Sequence, residues 1–183
     1  LDGSAQPLVE KVRKAGLAEQ KEEARVFVLE EPVFVHDGGA TLVALPSDTP
    51  GLTLQYVSSF EEPGVESGTF EIELTPEKFE EELAGARTFC LASEVESLQA
   101  AGMGKGATRE NTVVLGDPDS TQRMSHEPVR HKLLDLIGDL HLLGAGLQAR
   151  IIATRSGHKT NADLVRRLVD LMQAQETGGL IQR

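Results

Sequence analysis

The 183-residue sequence lacks the features that define several large classes of protein. Its single cysteine, Cys90, excludes an internal disulfide and suits a reducing compartment, so we expect a cytoplasmic protein. Basic residues are outnumbered, with 18 Lys and Arg against 29 Asp and Glu, and the net charge is -11. This charge argues against nucleic acid or an anionic membrane as the main partner. No run of about 18 apolar residues occurs, so we expect no transmembrane segment.

The apolar content of 39% is sufficient for one ordinary domain, or for a domain with an additional fragment. Because the sequence starts at Leu1 rather than at a methionine, we expect a fragment or a processed product. Lysines and arginines recur between Arg123 and Arg167, so a local site for an anion stays open despite the overall charge.

Alternating apolar residues predict β-strands in the first half of the chain. The sequence DGG at residues 37–39 predicts a hairpin between two of them. The alternating residues are Val26 and Val28, Val33 and Val35, Leu52, Leu54 and Tyr56, and Phe70, Ile72 and Leu74.

Helical signals separate and follow these strands. We predict helices at residues 7–16, from a Thr75 cap onward, at 94–101, across 126–144 and at 160–173, with no clear structure in the tail from Glu176. Residues 90–115 form an excursion that holds the third of these helices and a strand, TVVL. The order predicts an α+β fold, a two-layer sandwich in which a mostly antiparallel sheet carries helices on one face and a small βα insert.

The predicted helix at 126–144 carries His131, Asp135 and Asp139 at intervals of four residues. At 100° per residue, the two aspartates lie roughly 40° and 80° around the helix from the histidine, away from the leucines. Such a row is often a solvated face. His and Asp at i, i+4 are also spaced to hold one zinc ion, which would need a third ligand from elsewhere. The pattern leaves both interpretations open.

Two further motifs carry residues suited to chemistry. RSGH at 155–158 follows an apolar strand and precedes a helix, a position where loops commonly hold functional side chains. Asp139 beside His158 would favour the protonated imidazole and give a proton donor near neutral pH. RTFC at 87–90 presents Thr88, whose hydroxyl is able to donate to an oxyanion. Taken alone, each motif also fits an ordinary turn or helix exit.

Four strings, LDGSA at the start, RTF at 87–89, VRHKLLDLIGDL at 129–140 and SGH at 156–158, together resemble the UDP-3-O-acyl-N-acetylglucosamine deacetylases of lipid A biosynthesis. The resemblance implies a zinc-dependent hydrolase that removes the N-acetyl group from a UDP-acyl-sugar substrate. It also implies two similar α+β domains with the active site between them. On this basis residues 1–24 correspond to the end of the first domain and residues 25–183 to the second, with the insert at about 90–115.

The resemblance assigns roles residue by residue. The implied metal ligands are His131 and Asp135; the catalytic residues are His158, Asp139 and Thr88; the substrate-binding residues are Lys132, Arg155, Phe60, Phe89 and Glu94. Three positions depart from the family pattern: Arg155 replaces a lysine, Glu62 replaces a histidine, and the loop GMGKGATREN replaces a GGS turn in the insert that forms the acyl-chain passage.

The family's third zinc histidine and its glutamate base lie in the first domain, before DGSA. We therefore expect a missing N-terminal domain to supply both, and the isolated chain to be inactive. Two alternatives stay open. The chain is a non-catalytic module that binds a UDP-sugar or an acyl chain, or the polar row on the long helix is only a solvated face.

Overall fold

The computed structural model describes residues 2–62 and 65–181, with side chains as far as residue 177. Eight strands and five α-helices lie within these ranges. The strands are β1 (Val26–Val28), β2 (Val33–Asp37), β3 (Ala40–Leu45), β4 (Leu52–Ser58), β5 (Gly68–Glu73), β6 (Thr88–Leu91), β7 (Thr112–Leu115) and β8 (Gly146–Thr154). The helices are α1 (Gln6–Ala15), α2 (Pro76–Lys78), α3 (Val95–Ala100), α4 (Glu127–Leu140) and α5 (His158–Ile181). The predicted α+β class is confirmed.

The main sheet has six strands and is mixed, in the order β2-β3-β8-β4-β5 with β1 also paired to β8. Pairs β2–β3, β3–β8 and β4–β5 are antiparallel, whereas β1–β8 and β4–β8 are parallel. Three of the five pairings are thus antiparallel, and the sequence patterns did not indicate the two parallel ones. The chain leaves β5, passes through α4 and returns as β8 between β3 and β4, and such a helical crossover permits a parallel pair.

One face of this sheet forms the core. The register aligns Val33, Ala44, Ile151, Leu54 and Ile72 in a row across five strands, and all five are buried. Helix α4 packs against β4 and β5, and α5 packs against β2 and β3. On the opposite face Phe34 remains 59% exposed. The alternation of the strands therefore separates a helix-covered face from an open one.

Helix α4 sits at the centre of the packing. Leu133 and Leu136 are fully buried, and burial of each stabilises the fold by roughly 1.5–3 kcal/mol. The helix starts at Glu127, directly after His126, whose φ of 53° reverses the chain. It ends in a short 3-10 turn and the left-handed Gly144. The register of its apolar side chains against the sheet fixes where its polar row points.

Several local predictions are confirmed. The DGG turn joins β2 to β3, and the Thr75 hydroxyl caps α2 by accepting from the Lys78 N–H at 3.2 Å. In β1, however, Phe27 is buried and Val26 and Val28 are exposed, the reverse of the expected face.

Two boundaries also differ from prediction. The excursion was predicted to start at residue 90, but it starts with β6 at Thr88. Strand β6 pairs in parallel with β7 to form a separate two-stranded sheet, and α3 lies between these two strands in the sequence. Helix α5 continues through the predicted unstructured tail to Ile181, while residues 182 and 183 of that tail lie outside the described residues.

Residues 2–24 contact the rest of the chain at a few points. The Gly3 carbonyl accepts from the Thr88 N–H at 2.9 Å, and Asp2 pairs with Arg123 at 2.5 Å. Helix α1 has no buried residue. Over the described part of the chain, none of the helices has the length and hydropathy required to span a membrane.

Candidate functional site

Helix α4 and the segment before β6 hold His131 in one orientation. His131 is 8% exposed, and its Nδ1 lies 3.0 Å from the Ala86 carbonyl oxygen. Because a carbonyl only accepts, Nδ1 carries a proton, which leaves Nε2 as the ring nitrogen that is able to bind a metal. Nε2 lies 3.4 Å from Oδ1 of Asp135, one turn further along α4. A histidine that binds a metal through one ring nitrogen usually donates the N–H of the other to a backbone carbonyl or a carboxylate.

Asp135 lies between the His131 ring and the Lys132 ammonium group. Its other oxygen, Oδ2, accepts from Lys132 Nζ at 2.9 Å, and the side chains of Lys132 and Asp135 are each 17% exposed. With His131 buried and both neighbours largely enclosed, this part of the polar row is not a solvated face. The structural alternative left open by the sequence is therefore wrong for these residues.

The second half of the row faces the start of α5. His158 Nδ1 lies 2.9 Å from Asp139 Oδ2, so the predicted contact is present. The same oxygen accepts from the Asn161 amide at 2.8 Å, which fixes the carboxylate from a buried position. His158 is the first residue of α5, and Arg155, three residues earlier, has a φ of 52°. A non-glycine residue in this left-handed region is uncommon and marks a loop whose shape is imposed by its surroundings.

Tyr56, in strand β4, holds that loop through a hydrogen bond. Its hydroxyl donates to the Ser156 carbonyl oxygen at 2.7 Å. Burial raises the pKa of Tyr56 to about 12, and the nearby negative charge of Asp135 adds to this rise. The sheet thereby connects the loop that carries His158 to the neighbourhood of Asp135.

A cavity of about 760 Å³ opens beside this row. The five predicted substrate-binding residues all line it, namely Phe60, Phe89, Glu94, Lys132 and Arg155. The loop after β4, strand β6, the turn before α3, helix α4 and the RSGH loop contribute one side chain each, so the fold brings together residues that are distant in sequence.

Aromatic rings connect the cavity to the His131 side chain. Phe60 meets Phe89 edge to face at a centroid distance of 5.9 Å, and Phe89 meets His131 in the same way at 6.5 Å. At the mouth, Arg155 pairs with the exposed Glu61 at 3.1 Å. Glu62, the residue that departs from the family pattern, bonds to the Ser93 hydroxyl. The cavity thus has an aromatic wall and a charged rim.

Thr88 occupies the first position of β6 and is exposed, and its backbone is held by the Gly3 carbonyl. Glu94 accepts from the Leu91 N–H at 3.1 Å and so also closes the turn before α3. A second cavity of about 620 Å³ shares Phe60 with the first, and its lining mixes apolar residues such as Val113 and Leu115 with polar ones such as Asp117 and Gln122.

The sequence singled out ten residues but not three that support them. Arg87 and Glu127 form a buried ion pair at 2.9 Å next to Thr88 and His131, and Asn161 holds Asp139. Burial lowers the tendency of Glu127 to ionise, but hydrogen bonds from Arg87 and backbone N–H groups outweigh it and hold the pKa of Glu127 below its usual range. A charged residue at a helix start usually lies in solvent, so no local signal identified Glu127.

Metal donors in the described residues are incomplete. Within ranges 2–62 and 65–181, no group of three or more His, Cys, Asp or Glu side chains is placed to hold one metal ion. His131 and Asp135 nevertheless offer an imidazole nitrogen and a carboxylate oxygen one helical turn apart, which is a donor pair that zinc accepts. The described residues fit a zinc site in part.

Comparison with known proteins gives consistent matches over most of the chain. A family model for UDP-3-O-acyl N-acetylglycosamine deacetylase matches residues 1–170. The UDP-3-O-acyl-N-acetylglucosamine deacetylase of Aquifex aeolicus is 41% identical over 179 residues, which cover 92% of this chain and 58% of that protein. The protein of the same name from Anaeromyxobacter sp. strain Fw109-5 is 37% identical over 174 residues, which cover 92% of this chain and 56% of the relative.

A third relative extends the match to the chain end. The UDP-3-O-acyl-N-acetylglucosamine deacetylase of Syntrophus aciditrophicus is 32% identical over 185 aligned residues, which cover 99% of this chain and 58% of that protein. The chain therefore spans somewhat more than half the length of the relatives it matches. With the family model matching residues 1–170, the chain belongs to the UDP-3-O-acyl N-acetylglycosamine deacetylase family.

Proposed function

We propose that this chain carries part of the active site of a zinc-dependent hydrolase that removes the N-acetyl group from UDP-3-O-acyl-N-acetylglucosamine in lipid A biosynthesis. The convergence of Phe60, Phe89, Glu94, Lys132 and Arg155 on one cavity beside His131 is the observation that carries the proposal. The relatives bear the name of this activity, which agrees with it.

The cavity suits a nucleotide sugar. Lys132 and Arg155 supply positive charge to the pyrophosphate, and Arg155 offers a planar fork for two oxygens. Phe60 and Phe89 provide apolar faces for the uridine end and the sugar, while Glu94 is placed to accept from sugar hydroxyls. We assign the second cavity, which Val113 and Leu115 of the excursion help to line, to the acyl chain.

His131 and Asp135 are the residues of this chain that would hold zinc. When bound, zinc would polarise the acetamide carbonyl and activate the attacking water. The Nδ1–H bond to Ala86 fixes the His131 ring with Nε2 on the side of Asp135. Lys132, bonded to Asp135, compensates carboxylate charge close to the substrate phosphates.

The remaining steps use Thr88 and His158. The Thr88 hydroxyl donates to the oxyanion that forms when water adds to the amide carbon. His158, protonated and held by Asp139, delivers its proton to the departing nitrogen as the C–N bond breaks. The products are acetate and the free amine of the UDP-acyl-sugar.

We further propose that the third zinc ligand and the general base come from residues outside those described. Residues 1–24 would then belong to a first domain and residues 25–183 to a second. The lack of any buried residue in α1 supports a boundary near this point. We also propose that the sheet with α4 and α5 forms the second domain's two-layer sandwich.

The decisive experiment measures acetate release from UDP-3-O-acyl-N-acetylglucosamine by the purified chain, with and without a separately produced first domain of a family member. We expect no turnover by the chain alone, and turnover with tight zinc binding in the mixture. Removing the metal with a chelator should abolish that turnover, and added zinc should restore it. A mixture that is correctly folded, zinc-loaded and inactive would refute the deacetylase assignment.

The alternative, a binding module without chemistry, has one observation in its favour. The described residues supply two candidate zinc ligands rather than three. A zinc titration of the chain with and without the first domain separates the two functions. Equal zinc affinity in both cases, together with retained binding of the UDP-sugar, would favour the module.

A further inference from the structure

A buried ion pair lies at the corner where the excursion meets α4. Arg87 is 5% exposed and Glu127 is 0% exposed. Arg87 Nε and Nη2 donate to the two carboxylate oxygens of Glu127 at 2.9 and 3.1 Å. The backbone N–H groups of Arg87 and Arg123 donate to the same carboxylate at 2.9 and 2.6 Å. Four donors therefore surround the two oxygens of Glu127.

The N–H groups of the Arg87 guanidinium are likewise all hydrogen-bonded. Beyond its bonds to Glu127, Arg87 donates through Nη1 to the carbonyl oxygens of Arg109 and Glu110 at 3.2 and 3.3 Å. Nη2 donates to the Thr121 carbonyl oxygen at 2.7 Å. All five N–H groups of Arg87 thus have acceptors, and these come from three separate stretches of chain. One side chain fastens the excursion to the start of α4.

The pair is adjacent to two residues of the proposed site. Arg87 directly precedes Thr88, and Glu127 lies one helical turn before His131. Between them, the Ala86 carbonyl accepts from His131 Nδ1 at 3.0 Å. Residues 86–88 are therefore attached to α4 at two points, one of which sets the orientation of the His131 ring.

Stability alone is a weak reason for such a pair. Charges that leave water lose solvation, and replacing both members of a buried pair by apolar residues of similar volume is often neutral or stabilising. Removing only one member is different, because the other charge is left buried without a partner. A double apolar replacement can therefore separate a role in stability from a role in geometry.

We propose that Arg87 and Glu127 are positioning residues that fix the Thr88 hydroxyl and the His131 ring relative to each other. Neither touches the substrate; they act through the backbone of residues 86–88 and the first turn of α4. This inference rests on the deacetylase function proposed above for its kinetic consequences. Its geometric consequences are independent of that function.

The test compares Arg87→Met/Glu127→Leu with the single variants Arg87→Met and Glu127→Leu. We expect the double variant to melt at or above the temperature of either single variant. In the chain completed by a first domain, kcat should fall about 10²-fold with a smaller change in KM, because Thr88 acts on the oxyanion rather than on the bound substrate. Zinc affinity should fall about 10- to 100-fold, the usual effect of losing support behind a metal ligand.

A spectroscopic readout keeps the inference testable without turnover. In the 183-residue chain, the Nδ1 proton of His131 should exchange slowly in proton NMR because Ala86 accepts it. The double variant should lose this slow exchange. If the wild-type mixture is inactive, the proposed function fails while this measurement still decides the positioning role. A stable double variant with wild-type exchange, zinc affinity and kcat would overturn the inference.

The chain offers a matched control pair. Arg150 and Glu71 form an ion pair at 2.5 Å on the open face of the sheet, with side chains 41% and 42% exposed. Arg150→Met/Glu71→Leu makes the same chemical change away from α4. It should leave the His131 proton, zinc affinity and kcat unchanged. A control that lowers kcat as far as the Arg87/Glu127 replacement would overturn the inference by showing a general effect of losing an ion pair.

Discussion

The two halves of the polar row on α4 differ in the exposure of the histidine that each carboxylate contacts. In the first half, the His131 and Asp135 side chains are 11% and 17% exposed and a backbone carbonyl fixes the ring. In the second half, Asp139 is 20% exposed but His158 is 72% exposed at the start of another helix. Metal ligands require a fixed geometry in a dry setting, whereas a proton donor must be reached by the substrate. The row on α4 thus has an enclosed half, His131 with Asp135, and a half that is open through His158 of α5, the partner of Asp139.

The enclosed half should show the largest effect of a single substitution. His131→Ala removes one proposed zinc ligand and leaves Asp135 without its imidazole neighbour. We expect loss of zinc from the completed enzyme and a fall in turnover of about 10⁴-fold or more, since loss of such groups commonly costs several orders of magnitude. Metal analysis and acetate release measure the two effects.

His141→Ala is the matched control for that substitution. His141 is exposed in the short turn that ends α4, so its loss should leave zinc content and turnover unchanged. Retention of stoichiometric zinc by His131→Ala would contradict the assignment of His131 as a ligand and would remove the distinction between the two halves.

In the open half, His158→Ala should lower turnover by about 10²- to 10⁴-fold while zinc content stays intact. The physical reason is that His158 moves a proton and holds no metal. Asp139→Asn should have a smaller effect on turnover, because His158 stays in place but loses the carboxylate that holds its ring. Turnover measured across pH, with zinc content measured on the same samples, tests both.

His36→Ala serves as the control, since His36 also bonds through Nδ1, to Thr41 at 3.0 Å, but lies on the exposed edge strand β2. Its substitution should leave the pH–rate profile as in the wild type. Loss of zinc on substitution of His158 would instead place that residue among the ligands.

Sequence patterns predicted the features that depend on near neighbours. The DGG turn, the Thr75 cap and the i, i+4 spacing of His131 and Asp135 each involve residues within one turn. The alternation of Val26 and Val28 did not mark the buried face of β1, because a three-residue strand contains too few alternations to show which side is buried. The parallel entry of β8 was missed because its partners lie about a hundred residues upstream.

The same limit applies to the site. The helical wheel places His131 away from the leucines, but it cannot show that residues 86–88 cover that side of the helix. The burial of Glu127 depends on Arg87, forty residues earlier, so no window around Glu127 contains the reason. The resemblance to the family identified residues that converge on one cavity, whereas the buried supports required the three-dimensional structure.

The smallest expected effect concerns Tyr56. Its hydroxyl connects strand β4 to the loop that carries His158, the exposed member of the open half. Tyr56 is the only tyrosine of a chain without tryptophan, so ultraviolet absorbance reports its ionisation directly. Burial raises the pKa of Tyr56 from 10.0 to about 12 in the folded protein, and denatured chain should titrate near the ordinary value. Because the folded pKa lies above the unfolded one, the stabilising contribution of neutral Tyr56 is complete below pH 10. It is then lost as the pH rises from 10 towards 12.

Tyr56→Phe should remove both this pH dependence and the bond to the Ser156 carbonyl. Loss of one buried hydrogen bond typically costs about 0.5–1.5 kcal/mol, so we expect a modest decrease in the free energy of unfolding at pH 7. The difference between wild type and variant should shrink above pH 10, because ionised Tyr56 no longer donates. Zinc content should not change, since His131 is held from Ala86, whereas the loop that carries His158 loses its support. A native titration midpoint near 10, or an unfolding difference that is constant across pH 8–12, would show that the hydroxyl does not connect the open half to the sheet.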